Sequence, residues 1–591
     1  MLSFLLPVLF LCVGLPLHDT VNLLSSTVLF IWVLSIIFIK NFNFFRSKLF
    51  LIPLSIPMWY LISAIENSQD PISAWLGGYG RNFGIATFLA LSLIFVLATE
   101  QSNKINELID GGLLLLLIMA NVYGYIQYFN LDPIPWDSPF TGIVLTLGNP
   151  NFSGALFGIL LVVAFAKFYN GRNFTSKTLF FFLFISSSFL SLATDSLQSI
   201  VLGVIGLISF GFINSIKKSG LRSRIIHKLM ILCGISTVVF VFAIFTVNSL
   251  QNLKSWLFFQ GSVSQRLDYW SNGISVWKDN LFFGVGADQF QRYAAKYRTS
   301  EQIIRDGNSV IPDKSHNVLI DHLANGGIIG GFLWISLITL VYFSLYKIIK
   351  GDLKNQGEIA VLASVWNAYV VQSFISPDQI VLSVVGFVSG GSIFGRYLLD
   401  QNISTQSSMH SGILKNRTFI RPFVAIFLLS AIIFYSQALI ANASAKRMLN
   451  GEFRTSEEYL DVLHSWPNPK TTELLGVGLA RDTANCSLII KVADRLIELD
   501  NRSSQGWHLK SLCAIAKKDS ILALDYNSKS LEFDPLNTFY LVTKAKIEIA
   551  SRQTLAAIST LGQIKKINPN ESEIPLLESW IAEIYRNSNT N

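Results

Sequence analysis

The sequence predicts an all-α polytopic membrane protein of about 12–13 transmembrane helices, followed by an extracytoplasmic α-helical repeat domain. Three observations lead there. The 591 residues are 51% hydrophobic and only 14% charged, with a mean hydropathy of +0.46, where soluble domains carry about 25% charged residues. Apolar runs of membrane-crossing length recur over the first three quarters of the chain. A 34-residue period then takes over at its end. Ordinary soluble enzymes, disordered chains and small disulfide scaffolds are excluded by the same numbers.

A bilayer core is crossed by about 20 apolar residues. Runs of that kind fall near 1–17, 22–39, 49–65, 83–99, 111–129, 152–169, 178–194, 198–214 and 229–247. After a polar stretch they resume near 327–347, 359–376, 379–399 and 419–441, which makes 13. The start lacks a basic region and a small-residue cleavage site, so 1–17 reads as a first span rather than a cleaved signal. Cys12 and Cys233 lie inside apolar runs and read as packing residues.

The formal charge of +8 raises the question of nucleic-acid binding. From residue 446 onward, 18 basic residues balance 18 acidic ones, so the excess, 28 against 20, lies in the first 445 residues. With the N-terminus inside, the even-numbered short loops hold 18 basic residues and the odd-numbered ones hold only Arg81. That is the signature of membrane orientation, not of nucleic-acid recognition. It places the large loop, about 248–326, and everything after the last span on the outer side.

The chain thus divides into a membrane domain, 1–445, and a tail, 446–591. In the tail Pro467, Asn501, Pro535 and Pro569 are each 34 apart, and Asp500, Asp534 and Asn568 precede three of them. Leu499, Phe533 and Ile567 keep the same step, as do Ala523 and Ala557. This resembles tetratricopeptide repeats, in which each helix pair buries its apolar face against the next pair and a protein partner is often held on the concave side. Cys486 and Cys513 fall on neighbouring helices of that pattern, within conceivable reach of a disulfide.

Three motifs stand on the outer side. Gly77-Gly78-Tyr79-Gly80-Arg81-Asn82-Phe83-Gly84 gathers glycines around the lone outer arginine. Gly148-Asn149-Pro150-Asn151-Phe152 is a turn whose asparagines can cap the helix that follows. The large loop carries Ser264-Gln265-Arg266-Leu267-Asp268-Tyr269-Trp270, then Gly284-Val285-Gly286, then Lys314-Ser315-His316-Asn317 before the glycine-rich Asn325-Gly326-Gly327.

In this order and spacing, over roughly residues 77–400, the motifs resemble the O-antigen ligase family of polytopic membrane glycosyltransferases. The resemblance implies a fold like the metal-independent, polytopic (GT-C-like) glycosyltransferases. It implies transfer of a glycan from a polyprenyl pyrophosphate carrier to an acceptor on the outer face of the bacterial plasma membrane. Arg81 and Arg266 would bind the pyrophosphate and His316 would be catalytic, with Asn149, Asn151, Trp270 and Asn317 in support. One departure is plain: where the family often has Ser-Arg after a Thr, this chain reads Thr194-Asp195-Ser196-Leu197-Gln198. Leu197 cannot bind phosphate, and either Gln198 substitutes as a neutral donor or the carrier is handled differently.

The chemistry fits the residue types. Guanidinium forks suit a departing pyrophosphate, and an imidazole of ordinary pKa about 6.5 suits the removal of a proton from an acceptor hydroxyl. His316 could instead be a protonated pyrophosphate contact. Plainer roles stay open: Arg81 could snorkel at the interface, Arg266 could pair with Asp268, and His316 could cap the next helix. No Cys/His or Asp/Glu cluster has metal-ligand spacing, so neither a metal nor another cofactor is expected. The expected partners are the lipid-linked glycan, a glycan, lipid or protein acceptor, and membrane lipids. Ligase, polysaccharide polymerase and protein O-oligosaccharyltransferase differ only in the acceptor. A polysaccharide transporter or flippase fits less well, because the spans are almost free of charge.

Overall fold

The computed structural model describes residues 2–12, 21–39, 47–67, 71–78, 80–134, 136, 142–216, 262–351, 356–401, 417–450 and 485–589, with isolated positions between 451 and 484. Among them the chain is all α-helical, with no strand. The expected span at 229–247, Cys233 and Pro467 lie outside the described residues.

The membrane part is built from α1 (Leu2–Phe10), α2 (Val21–Ile39), α3 (Leu51–Asn67), the short α4 (Pro71–Leu76), α5 (Ile85–Glu100) and α6 (Leu114–Tyr128). There follow α7 (Pro150–Asn170), α8 (Phe174–Ala193) and α9 (Leu197–Ser215). After the large loop come α10 (Val318–Lys350), α11 (Gln356–Ile375), α12 (Ile380–Asp400) and α13 (Arg417–Leu449). Nine helical stretches among the described residues are long and apolar enough to cross a membrane, and two shorter apolar helices accompany them. The chain is a multi-pass membrane protein.

Helices α7 and α12 form the centre and are buried along most of their length. Close approach depends on small residues, since apolar burial alone brings no helices together in lipid. A Cβ on Gly391 of α12 would lie 2.4 Å from the carbonyl oxygen of Phe95 on α5. Outer helices such as α8 present large apolar side chains, among them Phe174, Phe182 and Leu192.

The large loop ends earlier than the sequence suggested. Helix α10 begins at Val318, not at 327, and runs through a break at Gly327, whose backbone (φ 65, ψ −166) is non-helical. The break strips Ala324 and Asn325 of their in-helix partners, and the loop supplies new ones. Val285 N–H donates to Ala324 O (3.0 Å), Gly286 N–H to Asn325 O (2.9 Å), and Ile328 N–H to Leu281 O (2.8 Å). Gly284-Val285-Gly286 is therefore a brace for a broken helix.

The loop itself is helical in Ser262–Asp279, Phe290–Ala294 and Ser300–Asp306. Beyond it, the C-terminal helices are Cys486–Leu499, Ser504–Ala516, Ser520–Phe533, Thr538–Ala550, Thr554–Ile567 and Ile574–Asn589. Their starts at 486, 520 and 554 keep the 34-residue step, as do those at 504 and 538. Consecutive helices pack as an array, with Ala523, Ala545 and Ala557 fully buried. Cys486 and Cys513 are free thiols; the Cys513 Sγ lies 3.8 Å from the Cys486 carbonyl oxygen. Loop residue Ile303 belongs to the same apolar cluster as Leu541, Ala545 and Leu561 of the array. Loop and array therefore lie on one side of the membrane part.

Candidate active site

The site forms where three segments meet: the glycine-rich loop after α4, the helix Ser262–Asp279, and the turn that precedes α10. The first is a tight knot. Gly77 sits at φ +92, and a Cβ there would lie 2.4 Å from Phe83 N and 2.5 Å from an Asp288 oxygen. Asp288 accepts the N–H groups of Gly78 (2.7 Å) and Phe83 (3.0 Å) and forms an ion pair with Lys314. Both charges are buried, with side chains 2% and 6% exposed. One carboxylate thus ties the arginine-bearing loop to the segment that carries the histidine.

Arg81 projects from this knot. Its Nε donates to Asp313 Oδ2 at 2.5 Å, and the guanidinium lies 5.6 Å from the centre of the Phe152 ring. Phe152 is placed by the turn read from the sequence. Asn149 accepts from Asn151 N–H (2.8 Å) and caps α7, while Asn151 accepts from Ser196 Oγ (3.0 Å). Asn149 and Asn151 thus shape this turn, and Arg81 is paired with Asp313. Burial would raise the Asp313 carboxyl, but Arg81, with His316 and Lys314, holds it down at about 2.

His316 lies in the left-handed region (φ 58), an uncommon backbone for a non-glycine residue that costs roughly 1–2 kcal/mol. Its neighbours fix it. Trp270 Nε1 donates to the His316 carbonyl (3.2 Å), Ser315 N–H donates to Asp321 Oδ1 (2.8 Å), and Asn317 Nδ2 donates to Phe374 O (2.9 Å). Asn317, not His316, caps α10, accepting from Ile320 N–H at 3.2 Å. Among the described residues the imidazole has no hydrogen-bond partner, and it packs 5.1 Å from the Tyr269 ring. Burial lowers its pKa to about 4; Asp313 opposes the shift, and Arg81 and Arg266 add to it.

Arg266 stands on the same helix as Tyr269 and Trp270. That helix comes close at Gly273, where a Cβ would lie 2.5 Å from Ile320 and 2.9 Å from Ser315. Among the described residues no carboxylate lies within ion-pair distance of Arg266; Asp268 pairs with Arg305 instead, at 2.7 Å. Burial lowers the Arg266 pKa. Among the described residues the site therefore holds one guanidinium paired with a carboxylate, one without such a partner, and a neutral imidazole.

Sequence reasoning missed Asp288, Asp313 and Lys314, and also the polar residues behind them. Tyr60 Oη lies 2.8 Å from His322 Nδ1. With Lys314, Asp321 and Asp378 they line a cavity of about 10 Å³, close to the room one water needs. Their one signal was the adjacency of Asp313 and Lys314 to His316. Leu197 is 64% exposed, while Gln198 is buried and neither of its amide atoms has a partner among the described residues. No group of three or more His, Cys, Asp or Glu among those residues is arranged to hold a metal ion.

No curated protein matches the chain. A family match covers residues 153–335, from the residue after Phe152 through Arg266 and His316 into α10, and its description is O-antigen ligase. The chain is thus a multi-pass membrane protein whose residues 153–335 are similar to the O-antigen ligase family.

Proposed function

We propose that the protein transfers a glycan from a polyprenyl pyrophosphate carrier to an acceptor at the outer face of the bacterial plasma membrane, without a metal ion. The observation that carries this reading is the uncompensated Arg266 guanidinium beside a neutral His316. A half-buried cation with no carboxylate partner among the described residues invites an anionic ligand, and a fork matches a pyrophosphate. His316, neutral above about pH 4, takes the proton of the acceptor hydroxyl. The acceptor oxygen then bonds to the sugar C1, the bond from C1 to the phosphate oxygen breaks, and the polyprenyl pyrophosphate leaves with the electron pair. Arg266, and Arg81 as Asp313 yields part of it, take up the charge that develops.

Residues 1–445 would form the transferase and 446–591 a tetratricopeptide-like domain in the same outer compartment, which a protein partner could share. Ligase, polymerase and protein O-oligosaccharyltransferase share this chemistry and differ in the acceptor. The test uses the full chain in lipid nanodiscs with a polyprenyl pyrophosphate-linked glycan. Wild type should consume the donor, and His316→Ala should lower turnover by about 10²–10⁴-fold while the donor still binds. Equal turnover in both proteins would refute the reading.

A further inference from the structure

The C-terminal array does more than follow the membrane part. The two aspartates that repeat with the 34-residue step, Asp500 and Asp534, end the helices Cys486–Leu499 and Ser520–Phe533. Both face arginines of the large loop. Arg298 donates through one nitrogen to both Asp534 oxygens at 2.7 Å, and each side chain is 1% exposed. The Arg292 Nε lies 3.8 Å from Asp500 Oδ2. The Arg502 guanidinium covers the Tyr293 ring of the loop at 4.2 Å. Asn308 and Thr538 exchange two hydrogen bonds of 2.9 Å.

From this contact a short path leads to the site. Arg298 directly precedes Thr299, which caps Ser300–Asp306 in a reciprocal box with Gln302. That helix is pressed onto the array by Ile303. Its other end grips the arginine-bearing helix on both sides of Arg266. Arg305 donates to Asp268 at 2.7 Å, and Gln265 donates to Asp306 at 3.1 Å. The Arg81 loop is held separately, by Asp288 and by Asn22, whose Nδ2 donates to Gly80 O at 2.7 Å.

We propose that the C-terminal array is a positioning element of the transfer site: Asp534 and Arg298 set the helix Ser300–Asp306, and Arg305 and Asp306 of that helix set where Arg266 stands. The inference rests on the assignment of Arg266 to the carrier pyrophosphate. Asp534 and Arg298 touch no substrate and act through Arg266. A partner bound to the array would reach donor affinity by the same path.

The experiment measures inorganic pyrophosphate binding, donor KM and kcat on the full chain in nanodiscs. The proteins are wild type, Asp534→Asn and Arg298→Lys, each also carrying Arg266→Ala. Hydrogen exchange over residues 300–306 reports the docking. Asp534→Asn removes the charge at nearly constant shape, and Arg298→Lys keeps the charge but loses the fork. Both should speed exchange over 300–306, weaken pyrophosphate binding about fivefold or more and raise KM, with a smaller fall in kcat because the displaced Arg266 also meets the charge that develops. In the Arg266→Ala background neither should weaken binding further, because the positioned group is gone.

Wild type and Arg266→Ala binding pyrophosphate equally would overturn the assignment of Arg266, and the inference with it. Arg266-dependent binding that both docking variants leave at full strength would overturn the inference alone. So would additive losses in the Arg266→Ala background, a fall confined to kcat, or unchanged exchange over 300–306.

Discussion

Arg305 takes the carboxylate of Asp268 at 2.7 Å and thereby leaves Arg266, two residues earlier on the same helix, without a counter-charge among the described residues. A reading of the helix by itself pairs Arg266 with Asp268. The fold spends that carboxylate elsewhere, so the positive field at the site stays uncancelled on the Arg266 side.

The first consequence concerns fork geometry. Charge-assisted hydrogen bonds contribute roughly 1.5–3 kcal/mol each, and a two-pronged contact cannot be made by an ammonium. Arg266→Lys should weaken donor binding about tenfold, and Arg266→Ala should weaken it more. Titration of a polyprenyl pyrophosphate donor into each variant measures this. Equal affinity for Lys and Arg at this position would mean that charge alone is read.

The pH profile separates the two roles open to His316. Its free-protein pKa of about 4 lies below the ordinary imidazole value, because burial, Arg81 and Arg266 disfavour the cation. As a base it works when neutral, so kcat/KM should climb as pH rises through about 4 and be flat near neutrality. As a cationic contact it would work only below that pKa and leave little activity at neutral pH. Removing a neighbouring cation shifts the limb in a known direction. Arg266→Ala should raise the His316 pKa and move the acid limb to higher pH, while Asp313→Asn should move it lower. Kinetics from pH 3 to 8 on the three proteins decide between the roles.

Much of this was legible in the sequence, and the boundary follows physical lines. Hydropathy marks spans because each crosses lipid alone, and Arg266, Trp270 and His316 are marked by motif. The break at Gly327 was not legible, because a glycine inside an apolar run reads equally as a boundary or an interior residue; only the hydrogen bonds from Val285 and Gly286 distinguish them. Asp313 carried no spacing signal, since its partner Arg81 is 232 residues away. Asp534 is marked in the sequence by its period alone. That it also meets Arg298, 236 residues distant, is a fact of tertiary docking that no local pattern encodes.

The last prediction concerns the buried pair beneath the site. Asp288 and Lys314 bring opposite charges into contact at 2% and 6% exposure, and Asp288 also accepts two N–H groups of the Arg81 loop. Removing one partner strands the other charge out of water, which costs about 3–5 kcal/mol. The two partners are not equivalent. Lys314→Met leaves a carboxylate still solvated by Gly78 and Phe83 N–H groups. Asp288→Asn leaves Lys314 with its main counter-charge gone and weakens the anchor of the Arg81 loop as well. Burial would lower the Lys314 pKa, and Asp288 and then Asp321 raise it, so in Asp288→Asn the ammonium keeps only its weaker support. Asp288→Asn should therefore lower the midpoint of thermal unfolding more than Lys314→Met does. The double variant should be milder than the sum of the two, because neither charge is stranded. Unfolding of the four proteins in matched nanodiscs measures the cycle. Strict additivity would show that the two side chains are not coupled.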